Sequence, residues 1–381
     1  MKKNRDQFIE GQIELFKVAE SLEKEKIIGV DLEGDSMFHY HEKVCLLQIS
    51  TQHQNFLIDP LSISDLSPLM DFFRSREIIK VFHGADFDIR SLYRDFNIEV
   101  NSLFDTQIAA SFLGYKELSL ASLLRDKFGI NTEKKYQKKD WSQRPLSPSM
   151  LSYAVQDSSH LIPLSRILEK ELQSQDRLFC VKEECELLSK VRPAQAIDGP
   201  LFLKFKGAQK LDPRTRAVLE AILQLREKQA RKMDRPPFKI MGNSAILEIA
   251  KRKPSSEQEL KEIKGLSTKQ IKKLGSSVLA KTEKAMNLKD NEIPEFPKKK
   301  KKTAPNKPGA SEYVKKLKTW RDNTANKLRL EPAIVCTNFQ IQSLVNASPE
   351  TIAQLREIRE IRNWQKKMFG KEICSILNTT I

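Results

Sequence analysis

The chain has 381 residues, which exceeds what one hydrophobic core usually serves and predicts two or three domains. Lys and Arg total 66 while Asp and Glu total 50, so the formal net charge is +16. The mean hydropathy is −0.49, and no apolar run approaches the ~20 residues that a membrane-spanning helix needs, which excludes an integral membrane protein.

Short apolar runs of strand length recur early in the chain, at residues 27–30, 44–49, 56–58 and 78–82. Residues 89–96 and 118–128 instead have the apolar periodicity of helices. Strands that come first and then alternate with helices predict an α/β domain with a mixed sheet. We expect one long helix from about Ser149 to Gln173, opened by Ser147 and Pro148.

Beyond Leu211 the pattern is almost wholly helical and contains a repeat at an offset of 95 residues. Identical residues align in ten pairs: 226/321, 230/325, 237/332, 243/338, 246/341, 254/349, 260/355, 263/358, 270/365 and 275/370. Ten matches in one register indicate a duplicated helical module, and two copies are too few for a solenoid. We therefore predict domains at residues 1–200, 208–290 and 311–381.

Residues 291–310 are predicted to link the two helical modules. Prolines flank five consecutive lysines at residues 298–302, and like charges with prolines disfavour packing. An extended, solvated linker is the first interpretation. A phosphate-contacting arm and a nuclear localisation signal are the alternatives.

Charge is distributed unevenly between the two halves of the chain. Residues 1–200 hold 26 basic and 31 acidic side chains (net −5), whereas residues 201–381 hold 40 basic and 19 acidic ones (net +21). This asymmetry indicates a polyanionic partner. The five cysteines are scattered and form no C-x-x-C pair, which argues against a disulfide framework and a zinc site and predicts a cytoplasmic protein.

Three acidic motifs could share a site. Asp31 and Glu33 lie two residues apart at the first strong strand, so both carboxylates point to one face. Tyr153 and Asp157 lie one helical turn apart, and Asp88 follows the strand at residues 78–82. Taken singly, each motif also fits an ordinary strand end, a helix-surface pair or a helix cap.

The ordered set of these motifs resembles the DEDD family of 3′–5′ exonucleases, tyrosine subclass. The longer motifs at residues 81–88, 103–106, 140–147 and 153–157 are similar to those of the ribonuclease D family, and the two helical modules resemble HRDC (helicase-and-RNase-D C-terminal) domains. The resemblance implies a ribonuclease-H-like α/β exonuclease domain followed by two all-α HRDC domains. It also implies 3′–5′ exoribonuclease activity that yields nucleoside 5′-monophosphates, with transfer-RNA 3′-end maturation as the leading role.

Carried over by position, Asp31, Glu33, Asp88 and Asp157 match the metal-binding carboxylates and Tyr153 matches the catalytic tyrosine; Asp86 is a less favoured alternative to Asp88. Two divalent cations, Mg²⁺ or Mn²⁺, would suit an all-oxygen ligand set and could serve both the attacking and the leaving oxygen of a phosphodiester. Asp31 would bridge the ions. Tyr153 would position the attacking water.

A basic loop precedes the catalytic helix. Its residues Lys134, Lys135, Lys138, Lys139, Trp141 and Arg144 predict phosphate contact with base stacking, and the alternative is a solvated charged loop. We expect a monomer that acts on RNA, with transfer-RNA precursors as the leading substrates. A DNA 3′–5′ exonuclease and a non-catalytic nucleic-acid-binding protein are the alternatives.

Overall fold

The computed structural model describes residues 6–132, 135–194, 199–297 and 309–379. The predicted contact residue Lys134 and the lysines at 298–302 lie outside these ranges. The chain divides into two compact units. The first contains residues 1–34, 44–193 and 302–381, and the second contains residues 35–43 and 194–301.

The first unit is built on a mixed sheet. Its strands, among the described residues, are β1 (Asp6–Ile9), β2 (Ile27–Gly34), β3 (Val44–Ser50), β4 (Asn55–Ile58), β5 (Ile79–Phe82) and β6 (Leu103–Asp105). They lie in the order β1-β4-β3-β2-β5-β6. Strand β3 runs antiparallel to β2 and β4, while the β1–β4, β2–β5 and β5–β6 pairs are parallel. The predicted α/β class with a mixed sheet is confirmed.

The four predicted strands are all present, and the two that the sequence analysis missed lie at the two edges of the sheet. Strand β1 (Asp-Gln-Phe-Ile) and strand β6 (Leu-Phe-Asp) are short and lack the longer apolar run that marks a strand in the sequence. Both are defined by parallel pairing with a neighbour, β4 and β5 respectively. Sheet position therefore creates these strands more than local composition does.

Eight helices accompany the sheet in the described part of the exonuclease region: α1 (Gln12–Leu22), α2 (Met70–Arg74), α3 (Asp86–Phe96), α4 (Thr106–Phe112), α5 (Leu120–Phe128), α6 (Pro148–Ser159), α7 (Leu161–Ser174) and α8 (Leu178–Ser189). Helix α6 begins as predicted, with the Ser147 side chain accepting from the amide of Met150. The prediction of a single long helix is wrong, because the helix is interrupted at His160. Pro163 explains the break, since proline lacks an amide hydrogen and crowds the carbonyl four residues earlier.

The duplication is present in three dimensions. The first copy consists of α9 (Pro213–Lys232), α10 (Pro237–Ile240), α11 (Asn243–Arg252), α12 (Glu257–Lys261) and α13 (Thr268–Met286). The second consists of α14 (Ala310–Leu328), α15 (Pro332–Val335), α16 (Asn338–Ala347), α17 (Ile352–Arg356) and α18 (Asn363–Asn378). No helix in the described part of the chain combines the length and apolar composition needed to cross a bilayer.

Equivalent residues make equivalent bonds in the two copies. Arg226 donates to the Asn243 side chain at 2.6 Å, and Arg321 donates to Asn338 at 2.9 Å. The amide of Gln365 donates to the Val335 carbonyl at 2.9 Å, as its counterpart in the first copy does to the equivalent carbonyl at 2.8 Å. The sequence repeat therefore reflects one module built twice.

The second copy packs onto the exonuclease region within the first unit. The indole Nε1 of Trp364 donates to the carboxylate of Glu184 at 2.8 Å, and its ring meets Phe112 edge-on with centroids 5.2 Å apart. Glu183 accepts from the backbone amides of Asn363 and Trp364, at 2.7 and 2.8 Å. Buried residues of both parts belong to one continuous hydrophobic core. This copy is thus an integral part of the first unit.

The β2–β3 connection, Asp35–Lys43, folds with the first helical copy in the second unit. The hydroxyl of Tyr40 donates to Glu227, and the guanidinium of Arg231 lies 5.4 Å from the centre of the Tyr40 ring. His39 contacts the Asp234 carboxylate at 2.7 Å. Charged and aromatic contacts therefore fix this loop to helix α9 and the turn after it.

A lysine is buried in strand β5 without a carboxylate partner in the described structure. The Lys80 side chain is fully inaccessible, and its Nζ donates to the carbonyls of Ser75 and Ile78 at 2.5 and 2.9 Å. Burial lowers the pKa of Lys80 to about 8. The unfolded chain binds this proton more tightly than the folded protein does. The contribution of Lys80 to stability therefore rises as the pH passes from about 8 toward the pKa of a lysine in the unfolded chain.

We therefore expect the free energy of unfolding of the wild type to rise by about 2 kcal/mol relative to Lys80→Met between about pH 7 and pH 10. Urea denaturation at several pH values measures this difference. The exposed Lys17 provides the control, since Lys17→Met should run parallel to the wild type. Parallel curves for Lys80→Met would contradict the assignment of a lysine that loses its proton in the folded state.

Candidate active site

Three of the predicted carboxylates converge at one point. Asp31 and Glu33 project from the same face of β2, and Asp157 reaches them from α6. One oxygen from each of the three carboxylates lies within 4.8 Å of the other two. The close approach of helix to strand depends on Gly29, where an added Cβ would lie 2.5 Å from the Ser158 carbonyl oxygen.

These residues open into a cleft of about 410 Å³ within the first unit. Its lining consists of Asp31, Leu32, Glu33, His83, Gln107, Ser119, Leu120, Ala121, Thr132, Gln137, Tyr153 and Asp157. Among the described residues no Lys or Arg lines it. The polar residues Gln107, Ser119, Thr132 and Gln137 were missed from the sequence, because no spacing relates them to the acidic motifs.

Asp88 and Asp86 occupy different environments in the first turn of α3. Asp88 is buried, with 7% of its surface exposed, and its charge acts on Asp31 and Glu33. Asp86 is exposed and forms an ion pair with Arg90 at 2.8 Å. The structure thus favours Asp88 as the fourth member of the cluster, although Asp88 does not line the cleft.

The turn before α3 is held by the carboxylate of Asp105. Asp105 accepts from the backbone amides of Gly84 and Ala85 at 3.0 and 2.8 Å, and it also caps α4. The Nδ1 atom of His83 hydrogen-bonds the Thr106 hydroxyl at 2.9 Å. These bonds fix the chain that carries Asp88.

Crowded burial of like charges raises the pKa values of the acidic cluster. Burial, reinforced by the charges of Asp157 and Asp88, raises the pKa of Asp31 well above its usual range. Burial and the Asp31 charge do the same to the pKa of Glu33. Burial raises the pKa of Asp157 to about 6, and burial with the charge of Asp105 raises that of Asp88 to about 7. Such a site favours a cationic occupant.

Tyr153 stands at the edge of the cluster, one helical turn before Asp157. A hydrogen bond from the Tyr153 hydroxyl lowers the pKa of Asp157, which offsets part of the effect of burial. Burial and the charges of Asp157 and Glu33 raise the pKa of Tyr153 itself. The phenol therefore keeps its proton near neutral pH and acts as a hydrogen-bond donor, not as a base.

The donor set fits hard divalent cations. Carboxylate oxygens are the ligands that Mg²⁺ and Mn²⁺ prefer, and neither cysteine nor histidine joins the three converging carboxylates in the described structure. Asp31, Glu33 and Asp157 are placed to hold such an ion.

The structure contradicts two of the predicted nucleic-acid contacts. Trp141 is completely buried, with its ring 6.2 Å from that of Tyr153, so no base can stack on it. The guanidinium of Arg144 donates both to Asp59 and to backbone carbonyls, which leaves it no N–H group for a phosphate. Lys135, Lys138 and Lys139 are exposed, and their predicted phosphate contacts remain predictions.

Comparison with known proteins supports the interpretation of the cleft. Residues 7–173 match the protein family described as 3′-5′ exonuclease, and residues 215–281 and 311–377 match the HRDC domain. The catalytic core of RRP6 from Trypanosoma brucei, as the C496S mutant structure, is 32% identical; the match covers 74% of this chain and 81% of that core with a TM-score of 0.64. The chain therefore belongs to the 3′–5′ exonuclease family, as an enzyme with HRDC domains.

Similarity over nearly the full length points to ribonuclease D within that family. A protein named Ribonuclease D from Desulfotalea psychrophila is 28% identical over 376 residues, which cover 97% of each chain. The fold of Escherichia coli RNase D, described as an exoribonuclease involved in structured RNA processing, matches 97% of this chain and 98% of that one, with 24% identity and a TM-score of 0.69.

The raised pKa values predict how Mg²⁺ stabilises the protein at different pH. In the absence of metal, the acidic cluster favours the folded state at low pH, and this contribution is lost as the pH rises through about 6 for Asp157 and about 7 for Asp88. Bound cations must displace the same protons. The increase in melting temperature caused by MgCl₂ should thus be larger at about pH 8 than at about pH 5.5.

Differential scanning fluorimetry with and without MgCl₂ measures this increase across the pH range. Asp31→Asn should lose most of it, whereas Asp86→Asn should retain it because Asp86 lies outside the converging carboxylates. An equal Mg²⁺ effect at both pH values, or an undiminished effect in Asp31→Asn, would contradict the metal site.

Proposed function

We propose that this exonuclease hydrolyses RNA from the 3′ end with two divalent cations, Mg²⁺ or Mn²⁺, and that transfer-RNA precursors are its main substrates. The observation that carries the proposal is the convergence of three carboxylate oxygens within 4.8 Å beside the Tyr153 hydroxyl, which hydrogen-bonds Asp157. The full-length relatives named Ribonuclease D support RNA as the substrate.

In this proposal Asp31, Glu33 and Asp157 would hold the cations, and the nearby charge of Asp88 would support their binding. Bound cations would neutralise the scissile phosphate and activate water, and they would stabilise the leaving 3′ oxygen. The Tyr153 hydroxyl then donates a hydrogen bond that keeps the attacking water in line with the phosphorus, which is a contribution of orientation.

The first HRDC copy is proposed as the RNA-binding surface. The reason is that one helix face packs on protein in the second copy, whereas the equivalent face of the first copy is exposed. In the second copy Trp364 is buried, and Lys367 lies 4.1 Å from the centre of the Phe179 ring. The residues at the same positions of the first copy are Lys269 and Lys272, and both are exposed. The face that packs on protein in the second copy thus carries exposed lysine side chains in the first copy.

Substituting the metal-binding candidates separates the two aspartates of helix α3. We expect Asp88→Asn to lower the rate of cleavage by ~100-fold or more, because the cluster loses a charge that supports cation binding. Asp86→Asn is the matched control and should stay within ~3-fold of the wild type. Single-turnover release of nucleoside 5′-monophosphate from an end-labelled RNA gives both rates, and the reverse ranking would make Asp86 the fourth carboxylate.

The nature of the substrate is tested with matched RNA and DNA oligonucleotides that share one sequence and carry an unpaired 3′ end. RNA should be shortened from the 3′ end in the presence of Mg²⁺ and left intact with a chelator. Preference for DNA would favour a DNA exonuclease, and no cleavage of either would favour a nucleic-acid-binding protein. A transfer RNA with extra 3′ nucleotides then tests the finer proposal.

Neutralising exposed lysines of the first HRDC copy should weaken RNA binding in a salt-dependent way. For Lys264, Lys269 and Lys272 changed together to Gln, we expect the slope of log affinity against log salt to flatten by up to ~2 units. The exposed Lys315, Lys318 and Lys327 of the second copy, changed to Gln, form the charge-matched control. Equal slopes for the two triple variants would remove the distinction between the copies.

A further inference from the structure

The segment at residues 140–146 carries a ring and an arginine that are unavailable to nucleic acid, because Trp141 is completely buried and Arg144 has all its N–H groups bonded within the protein. The segment, Asp-Trp-Ser-Gln-Arg-Pro-Leu, forms the end of the basic loop before helix α6 and has no helix or strand. Its two buried side chains, Trp141 and Leu146, pack in one hydrophobic cluster with a residue of the active site. That residue is Tyr153.

Two aromatic rings lie beside the ring of Tyr153. The Trp141 ring lies 6.2 Å from it at an interplanar angle of 36°, and the Tyr136 ring lies 5.6 Å from it at 49°. Tyr153 and Trp141 belong to a small hydrophobic cluster, separate from the main core, together with Leu146 of the same segment. The position of the phenol therefore depends on where the segment places Trp141.

Arg144 anchors the segment to the sheet. Its Nε and Nη2 donate to the two carboxylate oxygens of Asp59, each at 2.6 Å, directly after strand β4. Nη2 also donates to the Cys45 carbonyl at 2.7 Å, and Nη1 donates to the carbonyl of Trp141 at 2.7 Å. The Asp59 side chain is fully buried, so this bidentate pair is a fixed point of the fold.

We propose that Arg144 and Trp141 are positioning residues that hold the Tyr153 hydroxyl at the reacting phosphate. The inference rests on the proposed function of Tyr153. The planar guanidinium of Arg144 bonds both the Asp59 carboxylate and the Trp141 carbonyl, which fixes the backbone of Trp141. The Trp141 ring then limits the orientations that the Tyr153 side chain can adopt. A lysine cannot replace the guanidinium, because it lacks the planar set of five N–H donors.

A double-mutant cycle tests the proposal. Arg144→Lys should lower kcat for 3′-end release by ~10- to 100-fold with little change in KM, because the phenol loses its alignment and the RNA-binding surface stays intact. In a Tyr153→Phe background, the same Arg144→Lys change should lower kcat by less than ~3-fold, since the hydroxyl to be aligned is already absent.

Arg192→Lys is the matched control: Arg192 also pairs with a carboxylate, that of Glu99 at 2.8 Å, and it does not line the cleft. Equal losses from Arg144→Lys in both backgrounds, or a loss confined to KM, would overturn the proposal. Should Arg144→Lys fail to fold by circular dichroism, Trp141→Leu is placed in the same cycle and decides by the same criterion. Absence of cleavage by the wild type and by Arg192→Lys would instead refute the proposed function.

Discussion

Mutual repulsion between crowded, half-buried carboxylates is the constraint on which this structure depends. Asp31, Glu33 and Asp157 share a space in which no Lys or Arg of the described chain offsets their charge. Such a cluster is unfavourable unless protons or cations occupy it. The surrounding fold must therefore be stiff enough to hold the oxygens together against their own repulsion.

Two features supply that stiffness. Strand β2 is the third strand from one edge and the fourth from the other, hydrogen-bonded on both sides, so the acids on it cannot separate. Gly29 allows the backbone of helix α6 to rest directly against that strand, which brings Asp157 within reach. The large apolar core holds the strand through Ile28 and Val30, and the small cluster holds the helix through Tyr153 and Ala154.

The acidic motifs could be predicted because each obeys a local rule. Alternation along a strand places Asp31 beside Glu33, and one helical turn places Tyr153 beside Asp157. Trp141 and Arg144 could not be interpreted in this way. The position of Arg144 is set by Asp59, which is far away in sequence, and that of Trp141 by Tyr153, to which no helical or strand spacing relates it. An aromatic residue among basic residues also gives the same local sequence pattern whether its ring faces solvent or a core.

The duplicated module shows a similar limit. The repeat is evident from sequence, but which copy packs on the exonuclease region depends on a few substitutions. Where the first copy has Lys269, the second has Trp364, and that indole packs between Phe112 and Glu184. This position thus distinguishes the first copy, where an exposed lysine faces solvent, from the second copy, where a tryptophan joins the hydrophobic core of the exonuclease region.

The Asp35–Lys43 loop has a mechanical consequence. It leaves the sheet directly after Gly34, the last residue of β2, and Tyr40 anchors it in the second unit. The loop begins at Asp35, two residues after Glu33. The Asp35 amide donates to the Lys43 carbonyl and the Lys43 amide donates to Asp35 Oδ1, so the loop is closed at its base by bonds of its own, and the covalent path from Tyr40 to Glu33 passes through this closed neck.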